Sequence, residues 1–175
     1  MDSARRSMVE DRASIAQGTS SPGSDQPRTA GPSATMRAAI ISMGGELFTI
    51  DLKSVREVFV VESITPVPGT PSGLVGVTNL RGTVIPLLDL RPMFGLDAGT
   101  ALRYAVVVRH SNWQVGVLVD TVPEIRTIAA DQFLPAPAGT TEGAFPFVST
   151  VVKLEDRLRG VLETSVVLSH FEETG

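Results

Sequence analysis

From Met36 to Leu162 the sequence falls into ten short, largely apolar runs of six to eight residues, with Gly, Pro and Asn between many of them. A helix that buries one stripe needs about 10–12 residues of unbroken 3.6-residue period, so runs this short, rich in Val and Ile, predict strands. They are Met36–Ser42, Glu46–Leu52, Val55–Val61, Leu74–Leu80, Thr83–Leu88, Arg103–Arg109, Trp113–Val119, Val122–Ile128, Phe147–Leu154 and Arg157–Leu162. Leu90–Gly95 reads as one or two helical turns closed by a C-cap glycine. Thr164–Phe171 reads as a terminal helix with Thr164 as its N-cap. The expected fold class is all-β, with two packed five-stranded barrels and short helical turns, preceded by a disordered N-terminal tail.

A faint internal repeat supports two barrels. A shift of 67 residues aligns Val55 with Val122, Glu57 with Glu124, Val58 with Ile125 and Pro68 with Pro135. A shift of 74 aligns Leu80 with Leu154, Leu87-Leu88 with Val161-Leu162 and Asp89 with Glu163. The seven-residue difference is expected as an insertion in the loop Pro135–Pro146. Residues 1–35 hold Ser, Gly, Pro, Thr and mixed charge with no aromatic residue. Such a segment cannot bury enough apolar area to offset its ordering entropy, so a disordered tail is expected, with a transient helix near Ala4–Ala16.

The chemistry-bearing residues exclude more than they propose. The chain has no cysteine, hence no disulfide, thiolate metal site or cysteine nucleophile. His110 and His170 lack neighbours at metal-ligand spacing and read as solvated surface histidines. There is no Walker loop, no G-x-G-x-x-G and no G-x-S-x-G. An enzyme, a metal site and a cofactor are therefore not expected. A net charge of −4 and 5% aromatic residues argue against nucleic acid, which needs clustered cations and stacking platforms. An oligonucleotide-binding small barrel is accordingly a remote alternative. MDSARRSMVEDRASIAQG has no apolar h-region, and no run approaches the roughly 20 apolar residues of a membrane span. A cytoplasmic protein without membrane insertion, working on other proteins, is expected.

One segment concentrates the remaining signal, Gly73–Gly95. Two strands flank an Asn79-Leu80-Arg81-Gly82 corner, in which Gly82 suits a positive φ and Asn79 can bond its own backbone. Arg81 projects from that corner, where its planar fork could hold a carboxylate, and Glu57 in the run Val55–Val61 is the natural partner. Pro86 is expected at an edge or bulge. On the residues alone, a well-made hairpin carrying a surface arginine fits equally well.

These residues resemble the CheW-like family of chemotaxis coupling proteins. The likeness is carried by Gly76-Val-Thr-Asn79-Leu80-Arg81-Gly82 and Pro86-Leu-Leu-Asp89-Leu90-Arg91. Phe48-Thr-Ile-Asp51, Val55-Arg-Glu57-Val58 and Pro66-Val-Pro68 precede them, and Val115-Gly-Val-Leu-Val-Asp120 with Val122-Pro-Glu-Ile125 follow. The resemblance spans residues 36–172 and implies two SH3-like barrels, about 36–96 with 163–172 forming the first and about 101–162 the second. It implies a non-enzymatic adaptor, without cofactor, between the cytoplasmic tip of chemoreceptors (methyl-accepting chemotaxis proteins) and the histidine kinase CheA, bound through the kinase's CheW-like regulatory domain. A non-flagellar pathway, for surface motility or development, is the alternative. Carried across, Glu57 and Arg81 match the family's charged pair. Val55 and Gly76 match its receptor-facing surface, with Gly76 leaving room for a closely packed helix. Thr78, Asn79 and Gly82 complete the expected partner-binding set. The departures are the Gly- and Pro-containing loop Thr140–Phe147 and the closing run Val161-Leu162-Glu163-Thr164-Ser165-Val166, where the family has Leu-Asp leading into an apolar helix.

Overall fold

The computed structural model describes residues 34–98, 101–139 and 145–173. The tail up to residue 33, including the expected helix at Ala4–Ala16, and residues 140–144 of the divergent loop lie outside the described residues. Eleven strands and one α-helix are present among them: β1 Thr35–Met43, β2 Glu46–Asp51, β3 Val55–Val60, β4 Leu74–Leu80, β5 Thr83–Leu88, β6 Tyr104–His110, β7 Trp113–Val119, β8 Glu124–Ala129, β9 Phe133–Pro135, β10 Val148–Leu154, β11 Arg157–Leu162 and α1 Thr164–Glu173. All ten expected strands form, four with the expected bounds and the others with ends displaced by no more than two residues. The eleventh, β9, is three residues long and ends on Pro135, where the loop Pro135–Pro146 was expected to begin. A short strand paired on one side only tolerates that residue.

The strands make two sheets, ordered β8-β1-β2-β11-β10-β9 and β3-β6-β7-β5-β4. The contiguous division expected from sequence is therefore corrected. Each sheet combines one hairpin from one half of the chain with strands from the other half: β1–β2 with β8–β11, and β6–β7 with β3–β5. The cause lies in burial. β1 holds an unbroken buried run, Ala38–Ile41, and β6 another, Ala105–Val108, so each central hairpin must be covered on both faces. After β2, a tight turn at Leu52–Ser54, closed by the Lys53 amide on Asp51 Oδ1 (2.9 Å), sends the chain into the other sheet.

Alternation along these strands distributes the core. Ile40 faces the interior of the first barrel with Ala38, Ile128, Val152 and Val161. Leu87, Ala105 and Leu118 fill the second. The neighbouring residues Ile41, Leu88, Val106 and Leu162 turn the other way, into the largest cluster, which lies between the sheets and takes in Phe48, Phe94 and α1 through Val167 and Leu168. Burial there fastens the barrels together, each Val, Leu or Ile contributing about 1.5–3 kcal/mol. Asp120, at the end of β7, adds a polar clasp. Its amide donates to the Ser42 carbonyl (2.8 Å), while its carboxylate accepts from Ser42 Oγ (2.8 Å) and the Gly45 amide (2.9 Å). The β1–β2 turn of one barrel is thereby tied to a strand of the other.

The internal repeat is visible in the pairing. The 67-residue shift carries β1–β2 onto β6–β7 and β3 onto β8; the 74-residue shift carries β4–β5 onto β10–β11. The parallel contact Leu87 with Gly116 then corresponds to Val161 with Thr49. The bulge between Leu74 and Gly76 corresponds to that between Val148 and Thr150. The helical turn at Pro92–Phe94 ends on Gly95 in the left-handed region, as expected. In α1 the first helical bond runs from the Val167 amide to the Glu163 carbonyl (3.0 Å), so the cap falls on Glu163 and not on Thr164, which is buried. Among the described residues no helix is long and apolar enough to cross a membrane.

Candidate partner-binding corner

The β4–β5 turn places Arg81 and Gly82 at φ 51° and 84°. Two consecutive positive φ values define the type I′ turn that matches the twist of a hairpin. The Gly82 amide donates to Asn79 Oδ1 (2.8 Å), so the asparagine holds the turn shut as its position suggests. From this frame the Arg81 guanidinium reaches across to β3, its Nη1 3.0 Å from Glu57 Oε2. Arg56 Nε lies 4.0 Å from the other carboxylate oxygen. The arginine side chain is 78% exposed and the glutamate 24%, so a half-sunk carboxylate tethers an otherwise free cation. Beside the pair runs a groove of about 380 Å³ bordered by Phe59, Val60, Glu62, Thr78, Leu80 and Arg81.

The seven sequence-predicted residues separate into two groups. Asn79, Arg81 and Gly82 are exposed at the turn, with Glu57 beside them. Val55 is half-buried and packs on the core between the sheets, and Thr78 is buried. Gly76 is buried as well, and its expected reason is corrected. At φ 149° a Cβ there would run into the Thr65 carbonyl oxygen and lie 2.9 Å from Ile64 Cγ2. The room belongs to the chain's own loop, which bridges to β4 through Thr65 amide to Val77 carbonyl (2.8 Å) and Val77 amide to Thr65 carbonyl (2.9 Å). Pro86 also differs from expectation. It sits in an inner strand, opposite Val77, but the pairing of β5 with β7 starts only at Leu87. Just beyond, Arg91 grips Asp89 through Nε (3.0 Å) and Nη2 (2.9 Å) in a buried pair, which raises the arginine's pKa further. His110 is exposed; His170 is exposed too, yet its ring meets Phe147 edge-on at 5.4 Å.

A second charged corner went unread in the sequence. In the other barrel Arg126, on β8, donates from Nε (2.8 Å) and Nη2 (3.1 Å) to the two oxygens of Glu124, and from Nη1 to Glu155 Oε1 (2.8 Å). Glu124 corresponds to Glu57 and Glu155 to Arg81 under the same two shifts, so the repeat held the signal. The guanidinium holds the Glu124 carboxyl below the usual glutamate range.

This arrangement of two exchanged-hairpin barrels with an Asn-Leu-Arg-Gly corner agrees with three comparisons. The CheW-like domain family matches residues 37–172. The chain belongs to the CheW-like domain family. The chemotaxis protein CheW of Klebsiella aerogenes is 29% identical over 150 residues, 83% of this chain and 89% of that protein. Protein FrzA of Myxococcus xanthus is 39% identical over 90 residues, 50% of this chain and 56% of FrzA. Among solved structures, the scaffolding protein TtCheW from Thermoanaerobacter tengcongensis superimposes with a TM-score of 0.66 at 30% identity, covering 74% of this chain and 89% of that one. The two sheets are thus the SH3-like barrels of a CheW-like domain, and the chain is a non-enzymatic scaffold or adaptor of the coupling type.

Proposed function

We propose that this adaptor links the cytoplasmic tip of chemoreceptors to a CheA-type histidine kinase in the cytoplasm, with the Glu57–Arg81 corner turned toward the receptor. The observation that carries the reading is a free cation held in a fixed direction: Arg81 sits on a closed type I′ turn, and Glu57 restrains it while leaving most of its surface open. Arginine on a rigid corner can bind a partner carboxylate or carbonyl with its remaining donors at low entropic cost. Val55, Gly76 and Thr78 support the surface from beneath. The kinase's CheW-like regulatory domain is the second partner, met barrel to barrel.

The test is reconstitution of kinase activity from a receptor fragment, the kinase and this protein. Receptor-dependent stimulation only when all three are present supports the assignment; stimulation that ignores the adaptor overturns it. A non-flagellar pathway is the second reading, favoured by the likeness to FrzA. Which receptor and kinase co-purify with the chain separates the two.

A further inference from the structure

A second surface lies at the other end of the β4–β5 hairpin, about 20 Å along the strand from the Arg81 turn. There an apolar groove of about 300 Å³ is floored by Leu74, Pro86, Leu88 and Val115 and walled on the helix side by Leu168 and Phe171. Phe171 can lie low because residue 73 is glycine; a Cβ there would be 3.1 Å from the ring. Trp113, at the start of β7, also borders the groove and is 57% exposed, an unusual position for an indole, and no ring contact to it is present among the described residues. Among the described residues, the one charged residue lining the groove is Glu172.

Glu172 and Glu173 occupy the last turn of α1, where the helix dipole presents negative potential and carboxylates are unfavourable. Among the described residues no cation pairs with either. A cation arriving in this groove would find a carboxylate at the helix C-terminus and an exposed indole on the same lining. We infer that the groove is a docking site for a basic amphipathic segment of a partner protein. An apolar side chain of that segment fills the floor between Pro86 and Leu168, and a Lys or Arg one turn away sits between Glu172 and Trp113. The same carboxylates disfavour anionic membrane surfaces and acidic segments. The site is separate from the Glu57–Arg81 corner and stands independently of its reading.

Trp113 is the only tryptophan in the chain, so its emission reports on the groove alone. The full-length protein is titrated with a synthetic amphipathic helical peptide bearing Leu and Phe on one face and Lys one turn along, and with the same peptide carrying Glu for Lys. Blue-shifted Trp113 emission with the basic peptide only is expected. Glu172→Lys, an exposed change, is expected to weaken that binding about tenfold. Phe171→Ala, followed by anisotropy of the labelled peptide and checked for folding by circular dichroism, is expected to weaken it by a similar factor. No emission change with the basic peptide, equal binding of both peptides, or indifference to Glu172→Lys would each overturn the assignment.

Discussion

The two barrels share a backbone plan but differ where their corners carry charge. In one, the strand glutamate Glu57 holds an arginine that belongs to the turn. In the other, the equivalent turn residue is Glu155, and both it and Glu124 are bound by Arg126 from the strand itself. The cation is 78% exposed in the first corner and 35% exposed in the second. Arg81 has donors left for another molecule, whereas Arg126 spends three nitrogens inside its own barrel. The duplication thus yields an open corner and a closed one: one frame, with the charge moved by one element, gives a surface that offers a cation and another that has consumed it.

The largest break in this comparison is expected from the glycine beneath the first corner. Gly76→Ala forces the Thr65 bridge apart and should cost about 3 kcal/mol in urea unfolding. Thr150→Ala, at the corresponding position of the other barrel, has no such loop to displace and should cost less than about 1 kcal/mol. Equal losses would mean that the two bulges are interchangeable. Next come the cations. Arg81→Ala and Glu57→Ala should leave circular dichroism unchanged and lower stability by no more than about 1 kcal/mol, since exposed pairs are screened. Receptor capture should nevertheless fall about tenfold in both. Arg126→Ala should reverse that order, lowering stability slightly and leaving capture intact.

A smaller effect lies in the parallel contact between barrel halves. Thr49 is buried with its Oγ1 unpaired among the described residues, at the position that Gly116 holds in the other barrel. Thr49→Val keeps the shape and removes the unsatisfied hydroxyl, so it should raise the unfolding midpoint, by about 1 kcal/mol in free energy. A loss would show that the hydroxyl is solvated or bonded in solution. The smallest expectation concerns acid. The Glu124 carboxyl is held low by Arg126, so its folded pKa lies below its unfolded value. The stabilisation it lends is present above the unfolded pKa and fades as pH falls through the folded one. An NMR titration should place its midpoint below that of an ordinary glutamate, and Arg126→Ala should bring it back.

Much of this was legible beforehand because strand period and turn chemistry are local. Gly82, Asn79 and the short runs announced the hairpins, and the facing of Arg81 and Glu57 followed from one corner. The exchange of hairpins between barrels was hidden, since sheet membership depends on which faces need cover, and that is settled only when the whole core assembles. Gly76 was read as space for a partner because a sequence does not reveal that residue 65 returns to bridge residue 77. Arg126 escaped notice for a related reason. The repeat aligns it with Phe59, a packing residue, so its pairing appears only once the β10–β11 turn is folded beside β8.

Whether a tethered but available Arg81 is the receptor-facing element is decided by receptor pull-down with Arg81→Ala beside Arg126→Ala, both verified as folded. The first should lose capture and the second should keep it. Full capture by folded Arg81→Ala, or equal loss in both, would contradict that role for Arg81.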